Sequence, residues 1–192
     1  GILQNQLHLN SLLAGLLPGL HIPIMRIETA CASGGAAFQQ ATIALNKYHT
    51  ILVVGVEKMN GYENKHLTSS IAAAGDMQLD QEKGVIFPAN YAVIAEKYMK
   101  EYGLTSDDLN LLSYKAHQNA RLNELAHFHH KEVTINQIKN SPMISSPLRL
   151  FDCAPISDGA AAVLLSRERK SSRDIKIVAS VLKTDSLSLV QR

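Results

Sequence analysis

The side chain best suited to chemistry is Cys31, set in Ile27-Glu28-Thr29-Ala30-Cys31-Ala32-Ser33-Gly34-Gly35-Ala36-Ala37. An apolar run, Ile22 to Ile27, leads into this stretch and a run of small residues leads out. The thiol is therefore expected where a strand turns into a helix. The first N–H groups of a helix have no partner within it and carry partial positive charge. A thiol placed there is drawn toward thiolate, the nucleophilic form. Small residues after it let a substrate or another backbone approach closely. The plain alternative is a small apolar side chain in an Ala/Gly-rich packing helix, a common use of free Cys.

A nucleophilic Cys needs an acid/base partner, and the chain has eight histidines. His8, His21, His49 and His66 fall in helix or turn contexts and are expected to be partly exposed. His127, His129 and His130 crowd together but do not match a metal-ligand spacing, so a solvated or ligand-facing loop is expected there and no metal site. His117, on a predicted helix near Asn119 and Asn123, is the histidine expected to line a pocket. Ser33-Gly34-Gly35 fits neither G-x-G-x-x-G nor a P-loop, which argues against nucleotide binding by that route. Cys153, between apolar residues, reads as structural, and Asp158-Gly159 as the tight turn into the next strand.

The elements that must position these residues follow from periodicity. Leu9, Leu12, Leu13 and Leu16 have helical spacing, predicting a helix over 4–17 closed by Pro18-Gly19. A strand over 22–29 and a helix over 31–46 follow, the helix small or apolar on nearly every face and so buried between layers or at an interface. Ile51 to Val56 reads as a parallel strand covered on both faces, completing a right-handed βαβ unit. Residues 60–88 carry no clean period. A helix then starts at Pro88, with Tyr91, Ala95, Tyr98 and Tyr102 on one face, and stops at Gly103. Thr105 reads as the N-cap of the next helix, which runs to about Ala120 with Asp107 and Asp108 in its first turn and Leu109, Leu112 and Ala116 inward. Residues 122–147 read as loop with a short helix near 135–138. Strands are predicted over 160–166 and 175–182, separated by a solvated turn.

Composition bounds the rest. The chain has 192 residues, 46% hydrophobic and 19% charged, enough for a sizeable core. A net charge of +2 is too small to argue for nucleic acid or an anionic membrane. Two cysteines make no disulfide framework and fit a reducing compartment, with the cytoplasm as the expected location and a peroxisome or mitochondrion possible in a eukaryote. Residues 1–25 lack acidic and basic side chains but are broken by polar residues and Pro18-Gly19, so no membrane insertion is expected. Both ends of the chain read as cut.

The motifs around Cys31 resemble the nucleophile segment of the thiolases, especially the archaeal and sterol-carrier-protein-like branch. Three further stretches resemble that family in the same order: Val53-Val54-Gly55-Val56-Glu57-Lys58-Met59, residues 117–128, and residues 147–162 with Ser157-Asp158-Gly159-Ala160-Ala161-Ala162. The resemblance implies an α/β, layered α-β-α-β-α fold represented mainly by its N-terminal half and loop domain. Residues 1–59 would form part of that half, 60–156 the loop domain covering coenzyme A, 157–174 the return strand, and 175–192 the start of a C-terminal half. It also implies a homodimer, no permanently bound cofactor, and acyl-CoA as substrate. Cys31 would accept an acyl group as a thioester, its N–H donating to one oxyanion, while His117 and Asn119 would border the CoA pocket. The family's C-terminal His and second Cys motifs do not occur after Ile175, so this chain alone is expected to be nearly inert. Two alternatives stay open: a thiolase-derived scaffold or CoA-binding subunit without chemistry, and a β-ketoacyl synthase fragment, since synthases share Ala-Cys-Ala-Ser-Gly.

Overall fold

In the computed structural model, which describes residues 3–189, the chain divides into two units, residues 1–70 with 158–186 and residues 71–157 with 187–192. The first unit begins with α1 (Leu9–Gly15), shorter than the 4–17 expected. His8 ahead of it takes a left-handed conformation (φ 51°), and no side chain caps the helix, so its first turn cannot extend backward. The strand expected over 22–29 does not form. A strand exists only through hydrogen bonds to a neighbour, and the one bridge at its end joins Thr29 to Cys31. The expected βαβ unit is therefore absent.

Helix α2 (Ser33–Ala44) starts two residues later than expected, buries Ala36 and Ala41, and packs on β1 (Thr50–Glu57). The run Ile51 to Val56 is a strand as expected, but its partner is antiparallel. It pairs with β4 (Gly159–Ser166) in continuous register from Thr50 opposite Ser166 to Glu57 opposite Gly159. Burial on both faces is not met either: Leu52, Val56 and Leu164 are more than half exposed, whereas Leu165 is buried. The expected strand over 175–182 forms no ladder, and Ile175, Val178 and Val181 are almost fully exposed. Both failed strands have suitable side chains but no neighbouring backbone to pair with.

In the segment without a readable period, α3 (Asn64–Ala72) and a π-helical turn, Met77–Gln81, form. Asp76 caps the turn by accepting the N–H groups of Gln78 and Leu79. Asp80, buried in it, accepts the Asp76 N–H and the hydroxyl of fully buried Ser188. The next two helices match the reading closely. Helix α4 (Phe87–Tyr102) has Pro88 in its first turn and ends on Gly103 (φ 67°), a left-handed conformation that glycine adopts without strain. Helix α5 (Ser106–Ala120) opens with a capping box in which Thr105 N–H and hydroxyl both lie 2.7 Å from Asp108 Oδ2.

Tyr91, Tyr98 and Tyr102 are each more than half exposed, and the residue α4 buries is Ala92. The face of α5 differs from the reading. On α5, Leu112 and Ala116 are exposed while Asn110 is buried and Ser113 and His117 half-buried. The reason is what lies opposite. The α5 face meets α6 (Ile135–Lys139) and the 3-10 turn Leu150–Asp152, which offer polar acceptors. Helix α6 lies where a short helix was expected; the Thr134–Gln137 capping box opens it and Ile138 is completely buried. Strands β2 (Met143–Ser145) and β3 (Leu148–Arg149) form a small hairpin around a cis Ser146–Pro147 bond, against α4. Among the described residues no helix is long and apolar enough to cross a membrane.

Candidate active site

Cys31 is a free, exposed thiol two residues ahead of α2. It sits on a tight turn in which Ala32 N–H donates to Thr29 O and Ser33 N–H to Ala30 O, both at 3.1 Å. Ala30, directly before the cysteine, has φ 49°. A left-handed conformation costs an L-residue about 1–2 kcal/mol, and alanine has no polar side chain of its own to offset it. Side chains on either flank do so instead. Glu28 Oε1 accepts the Ala30 N–H at 2.6 Å, and Ser33 Oγ accepts the Thr29 N–H at 2.9 Å while donating to Ala30 O at 2.6 Å. Beyond the turn, a Cβ built on Gly34 or Gly35 would meet nothing within 4 Å. The space around these two glycines is thus open.

His117 and Asn119 belong to the second unit, with their own neighbours. Asn119 lies with Gln118, Arg121 and Leu122 in a shallow depression open to solvent, Leu122 being 86% exposed, and Arg121 is 3.6 Å from the Glu132 carboxylate. His117 is not among its lining residues. Its ring packs edge-on against Phe128 and Phe151, and its Nε2 lies 3.2 Å from the Phe151 carbonyl oxygen, to which only an N–H can donate. Lys131 Nζ stands 5.4 Å from the Phe128 ring centre and 6.0 Å from that of Phe151. Ser113 donates to Asp152 Oδ1 at 2.5 Å, fastening the same 3-10 turn to α5. Burial, and then the Asp152 carboxylate beside it, push the Cys153 thiol above its usual range, so its nucleophilic form is disfavoured. His127 pairs with Ser157 and His129 stacks on His130. Among the described residues no three His, Cys, Asp or Glu side chains are grouped to hold a metal ion.

Asp158 does more than shape a turn. Its Oδ1 accepts the N–H groups of Met59 (2.7 Å) and Asn60 (2.9 Å), and its Oδ2 lies 3.3 Å from Lys58 Nζ. The carboxylate thereby ties the start of β4 to the end of β1, across some hundred residues of sequence. The Asn60 N–H, then the Met59 N–H, and less strongly Lys58, hold its pKa down from 3.8 to about 2. A carboxylate depressed on folding contributes stability above its unfolded pKa, and that contribution is lost as pH falls through the folded value. Acid titration of wild type and Asp158→Asn should therefore give stability curves that differ most above pH 4 and converge between pH 4 and 2. A constant gap down to pH 2 would contradict the clamp.

Residues 4–147 match the family model for the N-terminal domain of thiolase. An acetyl-CoA acetyltransferase of Methanothermobacter thermautotrophicus is 45% identical over 86% of this chain and 43% of its own length. That of Methanocaldococcus jannaschii is 40% identical over all of this chain and 50% of its own. Among solved structures, the Ltp2-ChsH2(DUF35) aldolase superposes with a TM-score of 0.55 at 30% identity, over 68% of this chain and 35% of the other. The mixed helix-and-strand fold described above is thus of the thiolase N-terminal type, and the chain belongs to the thiolase family. It spans about half the length of the curated relatives it matches.

The sequence reading singled out Cys31, His117 and Asn119. It missed the bracing roles of Glu28 and Ser33, the clamp formed by Asp158, and Arg121 beside Asn119. For Asp158 the available signal was its place directly ahead of a strand that needed a partner.

Proposed function

We propose that this chain carries the nucleophile of a thiolase-type acyl-CoA acyltransferase, one that forms or cleaves 3-ketoacyl-CoA through an acyl-Cys31 thioester. The observation that carries this is an exposed Cys31 on a braced turn ahead of α2, in a chain whose family model spans that turn. Cys31 Sγ attacks the acyl-CoA carbonyl and the carbonyl-to-sulfur bond of CoA breaks. CoA leaves as a thiolate that takes up a proton, and the acyl group stays on Cys31 until a second acyl-CoA carbanion, or CoA in the reverse direction, accepts it. Residues 60–156 act as the cover for coenzyme A. In that cover, Asn119 and Arg121, exposed at the end of α5, supply an amide and a guanidinium suited to phosphate and carbonyl oxygens. Residues 1–59 and 157–174 form the nucleophile-bearing half, with 175–192 leading into a further half. The exposed apolar residues of β1 and β4 fit a homodimer, and the two free thiols fit the cytoplasm.

Rapid mixing of the protein with acetyl-CoA tests the reading. A burst of free CoA of at most one per chain, without steady turnover, is expected, and no freeing of the carrier thiol from an acetylated carrier protein. No CoA release would leave the chain as a thiolase-derived scaffold, and deacylation of the carrier protein alone, freeing its own thiol, would favour a synthase-like use of carrier-protein thioesters.

A further inference from the structure

We propose that Ser33, together with Glu28, is a positioning residue for Cys31: it locks Ala30 in the left-handed conformation that aims the thiol away from the turn. Neither side chain touches Sγ in this arrangement. Both act on the peptide units directly before it. The Ser33 hydroxyl uses both of its functions, accepting the Thr29 N–H at 2.9 Å and donating to the Ala30 carbonyl at 2.6 Å. Glu28 Oε1 takes the remaining polar group of Ala30, its N–H, at 2.6 Å. A strained backbone conformation persists only where its surroundings over-determine it, and here two side-chain hydrogen bonds hold the N–H and the carbonyl of one alanine with φ 49°, while a third holds the Thr29 N–H before it. Rotation of Ala30 to a right-handed or extended conformation would break them and redirect Cys31, the next residue. Glu28 is exposed and Ser33 half-buried, so packing gives neither residue another evident task.

The inference rests on Cys31 being the acyl acceptor, but its test does not need acyl transfer. The readout is the rate of Cys31 carboxamidomethylation by iodoacetamide from pH 6 to 10, resolved by peptide mass so that Cys153 is counted separately. Ser33→Ala is expected to slow Cys31 about tenfold at the high-pH plateau, with Cys153 unaffected. Ser33→Thr, which keeps the hydroxyl, should restore the rate, and Glu28→Gln should be milder than Glu28→Ala because an amide oxygen still accepts. Glycine takes φ near +50° without strain, so Ala30→Gly should reduce the effect of Ser33→Ala to within about threefold. Unchanged Cys31 kinetics in Ser33→Ala, or failure of both Ser33→Thr and Ala30→Gly to rescue it, overturns the proposal. A wild-type protein whose alkylation depends on Ser33 but which never accepts an acyl group would refute the acyl-acceptor reading while leaving the positioning role standing.

Discussion

Cys31→Ala is expected to eliminate the CoA burst and to lower any acyl transfer in which this chain takes part by on the order of a thousandfold or more. The size follows from what is removed. Without Sγ there is no covalent intermediate, and no other described side chain replaces it at that turn. Cys153 offers no substitute, because burial and the neighbouring Asp152 raise its pKa. Cys31 is exposed, so the variant should unfold at the same denaturant concentration as wild type. An intact fold with an absent burst separates a chemical role from a structural one. Cys31→Ser should leave acylation strongly reduced too, since a serine hydroxyl is a far weaker nucleophile than a cysteine sulfur.

The largest stability effect is expected in the second unit. Ile138→Ala should destabilise it by about 2–5 kcal/mol, the range for emptying a fully buried aliphatic site. Ile138 is 0% exposed and sits on a helix of five residues, far too short to persist by itself. Burial of this one side chain stabilises α6, whose start is closed by the Thr134–Gln137 box and whose Lys139 pairs with Asp107 of α5 at 2.8 Å. Leu125→Ala is the matched control. That leucine is 95% exposed, so its loss should change stability by no more than about 0.5 kcal/mol. Urea unfolding followed for both variants checks the contrast, with an unchanged slope showing that the midpoint shift is a stability change.

The parts of this fold that could be read from the sequence are those whose determinants lie within a few residues of one another. Pro88 and Gly103 bracket α4, and Thr105 and Asp108 open α5, because each signal and its partner share one turn of chain. Strands were legible only as candidates. Ile51 to Val56 found a partner in β4, whereas Ile22 to Thr29 and Ile175 to Leu182, with side chains as suitable, did not. Pairing is decided by distant backbone, which periodicity does not reveal. Helix faces failed for a related reason. Leu112 was read as inward by its apolarity, yet Ser113 and His117 face the acceptors of the 150–152 turn. At the candidate site, Cys31 stood out through its flanking residues. The need for Glu28 and Ser33 did not, because an alanine gives no sign in sequence that it will be held at positive φ.

The most direct test of the account is intact and peptide-resolved mass spectrometry of the protein after brief exposure to acetyl-CoA and acid quench. An added mass of one acetyl group per chain, located on the peptide containing Cys31 and absent from Cys31→Ala, is the predicted result. Acetyl found only on lysines or on Cys153, or no adduct at Cys31 under any condition of pH or donor concentration, would contradict the claim that Cys31 is the acyl acceptor.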